Sequence, residues 1–183
     1  LALPTLAQGQ DSEPFGHSRH GAIFDEGPGQ AAYPMAGMSA AVHVPIAGLS
    51  EEAQRFFDQG MTQLHGFWYF EAERSFRQVA KLHPDCGMAF VGMALANVET
   101  PERAAGFAAE AVARSAGVPR YEHLWIDAFA KFYRIDDSHR SLLLSEDAEV
   151  VDKAIAEART RNAKREKADK EKLSKQLVKD LGT

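Results

Sequence analysis

The residues best suited to metal chemistry lie within the first 49 positions of this 183-residue chain. They are His17, His20, Met35, Met38 and His43. Imidazole and thioether groups are ligands that copper accepts in an oxidising compartment. His17 and His20 are three residues apart, but the dense proline and glycine around them leave no helix or strand to fix the ligands. A periplasmic copper-binding or redox-associated protein is therefore the alternative hypothesis, and the favoured one requires no cofactor and no metal.

The chain contains none of the short motifs that mark common catalytic sites. It has no Gly-rich phosphate loop, no GxSxG, no HExxH and no CxxCH haem-attachment sequence. Cys86 is the only cysteine, which excludes an intramolecular disulfide and a thiolate metal cluster. A helix start close to Cys86 would lower its thiol pKa, although a small buried residue is the simpler role. We expect a protein that is not an enzyme.

Composition narrows the classes of partner. The net charge of -5 and the pI of about 5.8 argue against a general nucleic-acid binder, which would be basic. No run of 18 apolar residues exists, so the sequence predicts no membrane span. With 45% hydrophobic residues, the chain has enough apolar side chains for the core of one domain.

Residues 53–84 match the pattern of one tetratricopeptide (TPR) repeat. That pattern places a large apolar residue, a small residue four positions later, an alanine after twelve more, an aromatic after four more, and a closing proline. The matching residues are Phe56, Gly60, Ala72, Phe76 and Pro84. The two small residues allow two antiparallel helices to approach closely, and the proline ends the second helix. Such a pair cannot bury its apolar face alone and must stack on neighbouring pairs.

The sequence therefore predicts an all-α chain containing a TPR-like α-solenoid of antiparallel helix pairs at residues 50–134. An extended, irregular arm at 8–49 precedes it, and a long charged helix at 145–183 follows, which we expect to lead into further repeats. The first two helices are expected at 51–65 and 69–82, and Asp85 is expected to cap the third. Residues 135–144 are predicted to form a loop. Because residues 159–172 hold seven basic residues, three acidic residues and no large apolar one, we expect that stretch to be helical and solvent-exposed.

The segment FDQGMTQLHGFWYFEAERSFRQVAKLHPDC resembles the opening repeat of a group of exported bacterial TPR proteins without an assigned biochemical role. The arm's HGAIFDEGPGQ is similar to the segment that precedes that repeat. The resemblance spans roughly residues 15–135 and implies an α-solenoid, export, further repeats and no catalytic residues. The first ten residues, LALPTLAQGQ, are typical of the end of an export signal, with residues 1–7 as its remnant. We expect a periplasmic or cell-envelope protein that can assemble in a larger envelope complex.

The first helix of each TPR lines the concave face of an array, and the corresponding positions here are almost all apolar. They are Phe57, Met61, Leu64, Met88, Val91, Leu95, Val98, Trp125, Phe129 and Phe132. An apolar surface of this size is a binding site or is covered. We expect a protein or peptide partner, with residues 15–46 as an intramolecular occupant anchored by Phe24, Tyr33 and Met35. For the aromatics at 68–70, core packing and an exposed aromatic contact both remain open.

Overall fold

The computed structural model describes residues 32–37 and 42–180, and within them the chain is all-α, as predicted. Seven helices and no strands occur in this part of the chain. They are α1 (Glu51–His65), α2 (Tyr69–Leu82), α3 (Gly87–Ala96), α4 (Pro101–Ala113), α5 (Arg120–Phe132), α6 (Asp137–Leu143) and α7 (Ala148–Asp180).

In chain order, the first four helices pack as two hairpins, and α5 packs beside the second hairpin. α1 packs on α2 and α3 packs on α4, and the short turns between them make each pair antiparallel. α2 also contacts α3, and α4 contacts α5, so each pair rests on the next. α3 contacts both α1 and α5, which places these three helices in one layer. The long helix α7 packs mainly on α4.

The first hairpin closes around one aromatic ring. Phe76 of α2 is fully buried and lies between Gly60 of α1 and Gly92 of α3. A methyl group added at Gly60 would come within 2.8 Å of this ring, and one added at Gly92 within 2.5 Å. The Phe57 ring packs edge-on against Phe76, with centroids 5.3 Å apart. The small residues therefore permit a helix spacing that any side chain would block.

The predicted helix ends are correct for the first hairpin and differ further along. The Oγ of Ser50 accepts from Ala53 N and caps α1. Cys86, and not Asp85, is the N-cap of α3, without a side-chain hydrogen bond. The prediction of a loop at 135–144 is wrong, because the carboxylate of Asp136 accepts from His139 N and starts α6.

A buried ionic cluster ties α2 to α4. Glu73 accepts hydrogen bonds from Arg77 Nε at 2.7 Å, Arg103 Nη2 at 2.5 Å and Asn97 Nδ2 at 2.9 Å. Both guanidinium groups also lie over the Phe107 ring, at 5.9 and 5.4 Å from its centroid. Burial by itself would raise the pKa of Glu73, but Arg103, Asn97 and Arg77 outweigh it and hold that pKa below its usual value.

α7 packs further along its length than its charges predict. Ala154 and Ala158 are buried, and the Arg159 stem lies where a methyl group on Gly106 of α4 would meet it. Asn162 is also buried, and its Nδ2 donates to Tyr133 O at 3.1 Å. The prediction that the whole stretch 159–172 is exposed is therefore wrong for its first turn, because small and polar residues pack where large apolar ones are absent. The prediction of exposure is correct for residues 167–172.

Candidate functional site

The chain before α1 is held on that helix by polar side chains. In residues 42–50, Gln54 Nε2 donates to Val44 O at 2.8 Å, and Asp58 Oδ1 accepts from Val44 N at 3.1 Å. Gln54 Oε1 also accepts from Ile46 N at 2.9 Å. These side chains satisfy backbone groups that a segment without secondary structure would otherwise leave unpaired. The segment consequently lies extended against α1.

Residues 32–37 continue this contact along α1. Gln59 Nε2 donates to Tyr33 O at 3.0 Å, and Gln59 Oε1 accepts from Met35 N at 2.7 Å. The Tyr33 side chain is nevertheless 77% exposed and that of Met35 is 39% exposed. The predicted anchoring role is wrong for Tyr33, whose backbone makes the contact. Met35 contacts α1 through its backbone and also through its Sδ, which accepts from Gln63 Nε2 at 3.4 Å. The third predicted anchor, Phe24, lies outside the described residues. The buried apolar residues of the two segments are Ala32 and Ile46.

The same segment reaches α5 just before α1 begins. Ala47 N donates to Glu122 Oε1 at 2.8 Å, and the hydroxyl of Tyr121 bonds to Pro45 O. Residues 42–47 thus connect the first turns of α1 and α5. They cross the N-terminal ends of these helices and contact the outer side of α5 only at Tyr121, in its first turn.

The structure separates the ten predicted groove residues into three environments. Buried in the core are Phe57, Met88 and Val91; half-buried are Met61, Leu64, Leu95 and Phe129; exposed are Val98, Trp125 and Phe132. The expected continuous apolar surface is therefore wrong for the first two helices of the layer. α3 is apolar on all sides, and a helix of that kind is enclosed by its neighbours.

One face of α5 is both apolar and open. Tyr121, Leu124, Trp125 and Phe132 are 41, 58, 45 and 65% exposed, respectively, and the exposed Ala128 lies among them at helical spacing. These five residues are hereafter the α5 outer face. Sequence reasoning found Trp125 and Phe132 but missed Leu124 and Tyr121. The signal was present, because α5 repeats apolar residues on two opposite sides.

A second exposed aromatic site lies where α1 turns into α2. A cleft of about 520 Å³ opens there, hereafter the aromatic cleft. Its lining residues are Phe67, Trp68, Tyr69, Phe70, Glu71, Ala96, Asn97, Glu99 and Thr100. Of the aromatics at 68–70, Trp68 is 54% exposed and fits the exposed interpretation, whereas Tyr69 and Phe70 are half-buried. The neighbouring Phe67 is 77% exposed.

The described residues offer little support for a metal site at the predicted histidines or for a reactive thiol at Cys86. His17 and His20 lie outside the described residues, whereas His43 Nδ1 is 2.7 Å from Asp58 Oδ2. No group of three or more His, Cys, Asp or Glu suited to a metal ion occurs within 32–37 and 42–180. Burial raises the pKa of the Cys86 thiol, so a reactive thiolate is disfavoured.

Comparison of the chain with protein-family models, curated proteins and solved structures finds no match. Among the described helices, none is both long and apolar enough to cross a bilayer.

Proposed function

We propose that this chain is a non-enzymatic scaffold of the TPR type, a short α-solenoid that binds another protein in the bacterial cell envelope. Two antiparallel pairs that stack in chain order support the solenoid, as does the Phe76 ring between Gly60 and Gly92. The envelope location follows from the export-like residues at the N-terminus. The resemblance to exported TPR proteins points the same way.

The α5 outer face carries the proposal. Leu124, Trp125 and Phe132 are exposed, whereas Ile126 and Ala130 on the opposite side of the same helix are fully buried. A helix that is apolar on both sides is normally enclosed by protein. Contiguous exposed apolar surface on a soluble protein marks an interaction site.

The occupant that fits this face is a helix of a partner protein. From Tyr121 to Phe132 the face spans eleven residue steps, about 16 Å at 1.5 Å per residue, which is about three helical turns. Ala128 lies near its middle, and a small residue there allows a second helix to come close. A solenoid normally protects its last pair with a polar-faced capping helix. The helix that could do so, α7, covers α4 instead.

The test compares variants of this face with a matched control. Trp125→Ser combined with Phe132→Ser removes two apolar groups from α5, whereas Leu173→Ser removes a 70% exposed apolar group from the far end of α7. Proteins captured from the native envelope fraction are identified, and each is purified and titrated against the three forms by calorimetry. We expect one partner to bind the wild type and the Leu173→Ser variant equally, and to lose at least tenfold in affinity for the α5 double variant.

Folding of the double variant is checked by circular dichroism, because both side chains are exposed and their loss should leave the fold unchanged. A partner that binds all three forms with equal affinity would refute the assignment of the α5 outer face. The partner would then bind through a different surface of the chain.

A further inference from the structure

The aromatic cleft contains a bulky residue in a backbone conformation that glycine usually adopts. Phe67 has φ = 62°. Its N–H donates to Leu64 O at 3.0 Å, and Trp68 N donates to Gln63 O at 2.9 Å. This pair of bonds is the Schellman ending of a helix, in which the left-handed residue is most often glycine. The glycine of this turn, Gly66, stands one position too early to take that place.

Burial of the Phe67 side chain does not offset its backbone strain. Phe67 is 77% exposed, so its ring contributes little to the core. Its ring centroid is 6.2 Å from that of Tyr69, with the planes 86° apart, so the two rings present faces in perpendicular directions. Backbone strain of this kind tends to be retained at functional sites. The Phe67 ring therefore lines the cleft and adds little to the stability of the fold.

The charge of the cleft indicates the class of ligand. Its two acidic lining residues are Glu71 and Glu99, and no lysine or arginine lines it. Glu71 pairs with Arg74 at 3.1 Å, which leaves Glu99 as the carboxylate without an ion pair among the described residues. Aromatic faces also attract cations through the negative potential above the ring. Arg74 illustrates the attraction, since its guanidinium lies 6.0 Å from the Phe70 centroid.

We propose that the aromatic cleft binds a small organic cation of the quaternary ammonium class, with Phe67 and Trp68 against its methyl groups and Glu99 opposite its charge. A quaternary ammonium is weakly hydrated and has no hydrogen-bond donor, so aromatic faces and one carboxylate are sufficient to hold it. The cleft volume of about 520 Å³ lies within the range of small-molecule sites. The site is separate from the α5 outer face and does not depend on the scaffold proposal.

The binding test uses Trp68 fluorescence in the full chain. Trp125→Phe makes Trp68 the only tryptophan. Tetramethylammonium and choline are titrated against sodium chloride at the same ionic strength, and against 3,3-dimethylbutanol, the uncharged isostere of choline. We expect saturable changes with both cations and at least tenfold weaker binding of the isostere. Equal binding of choline and the isostere would overturn the cationic assignment, as would a response to an arginine-rich peptide but not to tetramethylammonium.

A pair of glycine substitutions separates binding from folding. Arg134 occupies the equivalent left-handed position at the end of α5, with φ = 57° and the same two hydrogen bonds. Both Phe67→Gly and Arg134→Gly should raise the melting temperature by about 2–4 °C. Only Phe67→Gly should weaken tetramethylammonium binding, by about tenfold or more, and Glu99→Gln should weaken it by a smaller factor. Unchanged binding by a stabilised Phe67→Gly variant would refute the role of the ring.

Discussion

Replacement of Gly92 by alanine tests the packing that sets the spacing of the first three helices. The new methyl carbon would lie 2.5 to 2.6 Å from three carbons of the Phe76 ring, where ordinary contacts are 3.4 to 4 Å. The ring cannot move away by about 1 Å, because Gly60 lies close on its other side. A methyl carbon added at Gly60 would lie only 2.8 Å from the same ring. The helices or the ring must therefore shift.

The expected cost is the difference between two effects. Overpacking of a tight core typically costs about 1–3 kcal/mol, and occasionally more. Replacing a helical glycine by alanine returns about 1 kcal/mol of helix propensity. Because the clash involves three ring atoms, we expect an overpacking cost in the upper part of the range of about 1–3 kcal/mol. The net loss in the free energy of unfolding should then be about 1–2 kcal/mol. For a chain of this size, that loss lowers the melting temperature by roughly 2–8 °C.

Urea unfolding followed by circular dichroism measures this loss, and a double-mutant cycle assigns it to the ring. Gly66→Ala is the control, because its new carbon would come no closer than 3.5 Å to other atoms. In a Phe76→Leu background, Gly92→Ala should cost at least 1 kcal/mol less than in the wild type. An unchanged stability of Gly92→Ala, or the same loss in both backgrounds, would show that the ring does not set the helix spacing.

Three further predictions concern strain and charge. Phe67→Gly and Arg134→Gly should each stabilise the fold by about 1 kcal/mol in urea unfolding, and a loss from either would contradict the strain assigned to their left-handed backbones. Glu73→Gln should cost about 3 kcal/mol, because the buried guanidinium groups lose their shared carboxylate. Since the pKa of Glu73 is lowered in the folded state, its contribution to stability is present above pH 4.5 and is lost as the pH falls through the folded pKa. The stability of Glu73→Gln should therefore depend less on pH in this acid range than that of the wild type. Burial, followed by Arg161, lowers the pKa of His139 below 6.5, so wild-type stability should fall as pH drops below 6.5, and His139→Gln should flatten that decline.

The first hairpin was predictable because its local signals agree with one another. Ser50 supplies the cap of α1, and the spacing of Gly60 and Phe76 specifies a close helix contact. The seven-residue helix α6 was missed because so short a segment shows no clear period, and the capping carboxylate of Asp136 was its main signal.

The candidate surfaces depend on tertiary detail that the sequence does not contain. A repeat register names the positions facing the groove, but burial of Phe57 and Val91 follows from how closely the neighbouring helices approach. The strain at Phe67 was hidden for a different reason. The sequence has its glycine at position 66, whereas the hydrogen bonds place the left-handed residue one position later.

Polar residues explain why the segment before α1 was only partly anticipated. Its apolar composition suggested contact through side chains, whereas in residues 32–37 and 42–47 Gln54, Asp58 and Gln59 hold the backbone. Side-chain identity within the segment therefore matters less than the sequence suggested. The buried amides on α1 were the signal, because a buried polar side chain needs a partner.

The scaffold proposal is tested most directly by photocrosslinking in the native cell. A photoreactive phenylalanine analogue is placed at position 124 on the α5 outer face, and in a matched strain at position 173, which is also exposed but lies at the far end of α7. We predict a specific adduct with one other protein from position 124, abolished by Phe132→Ser, and none from position 173. Equal adducts from both positions, or none from position 124, would contradict the claim that this face binds a partner.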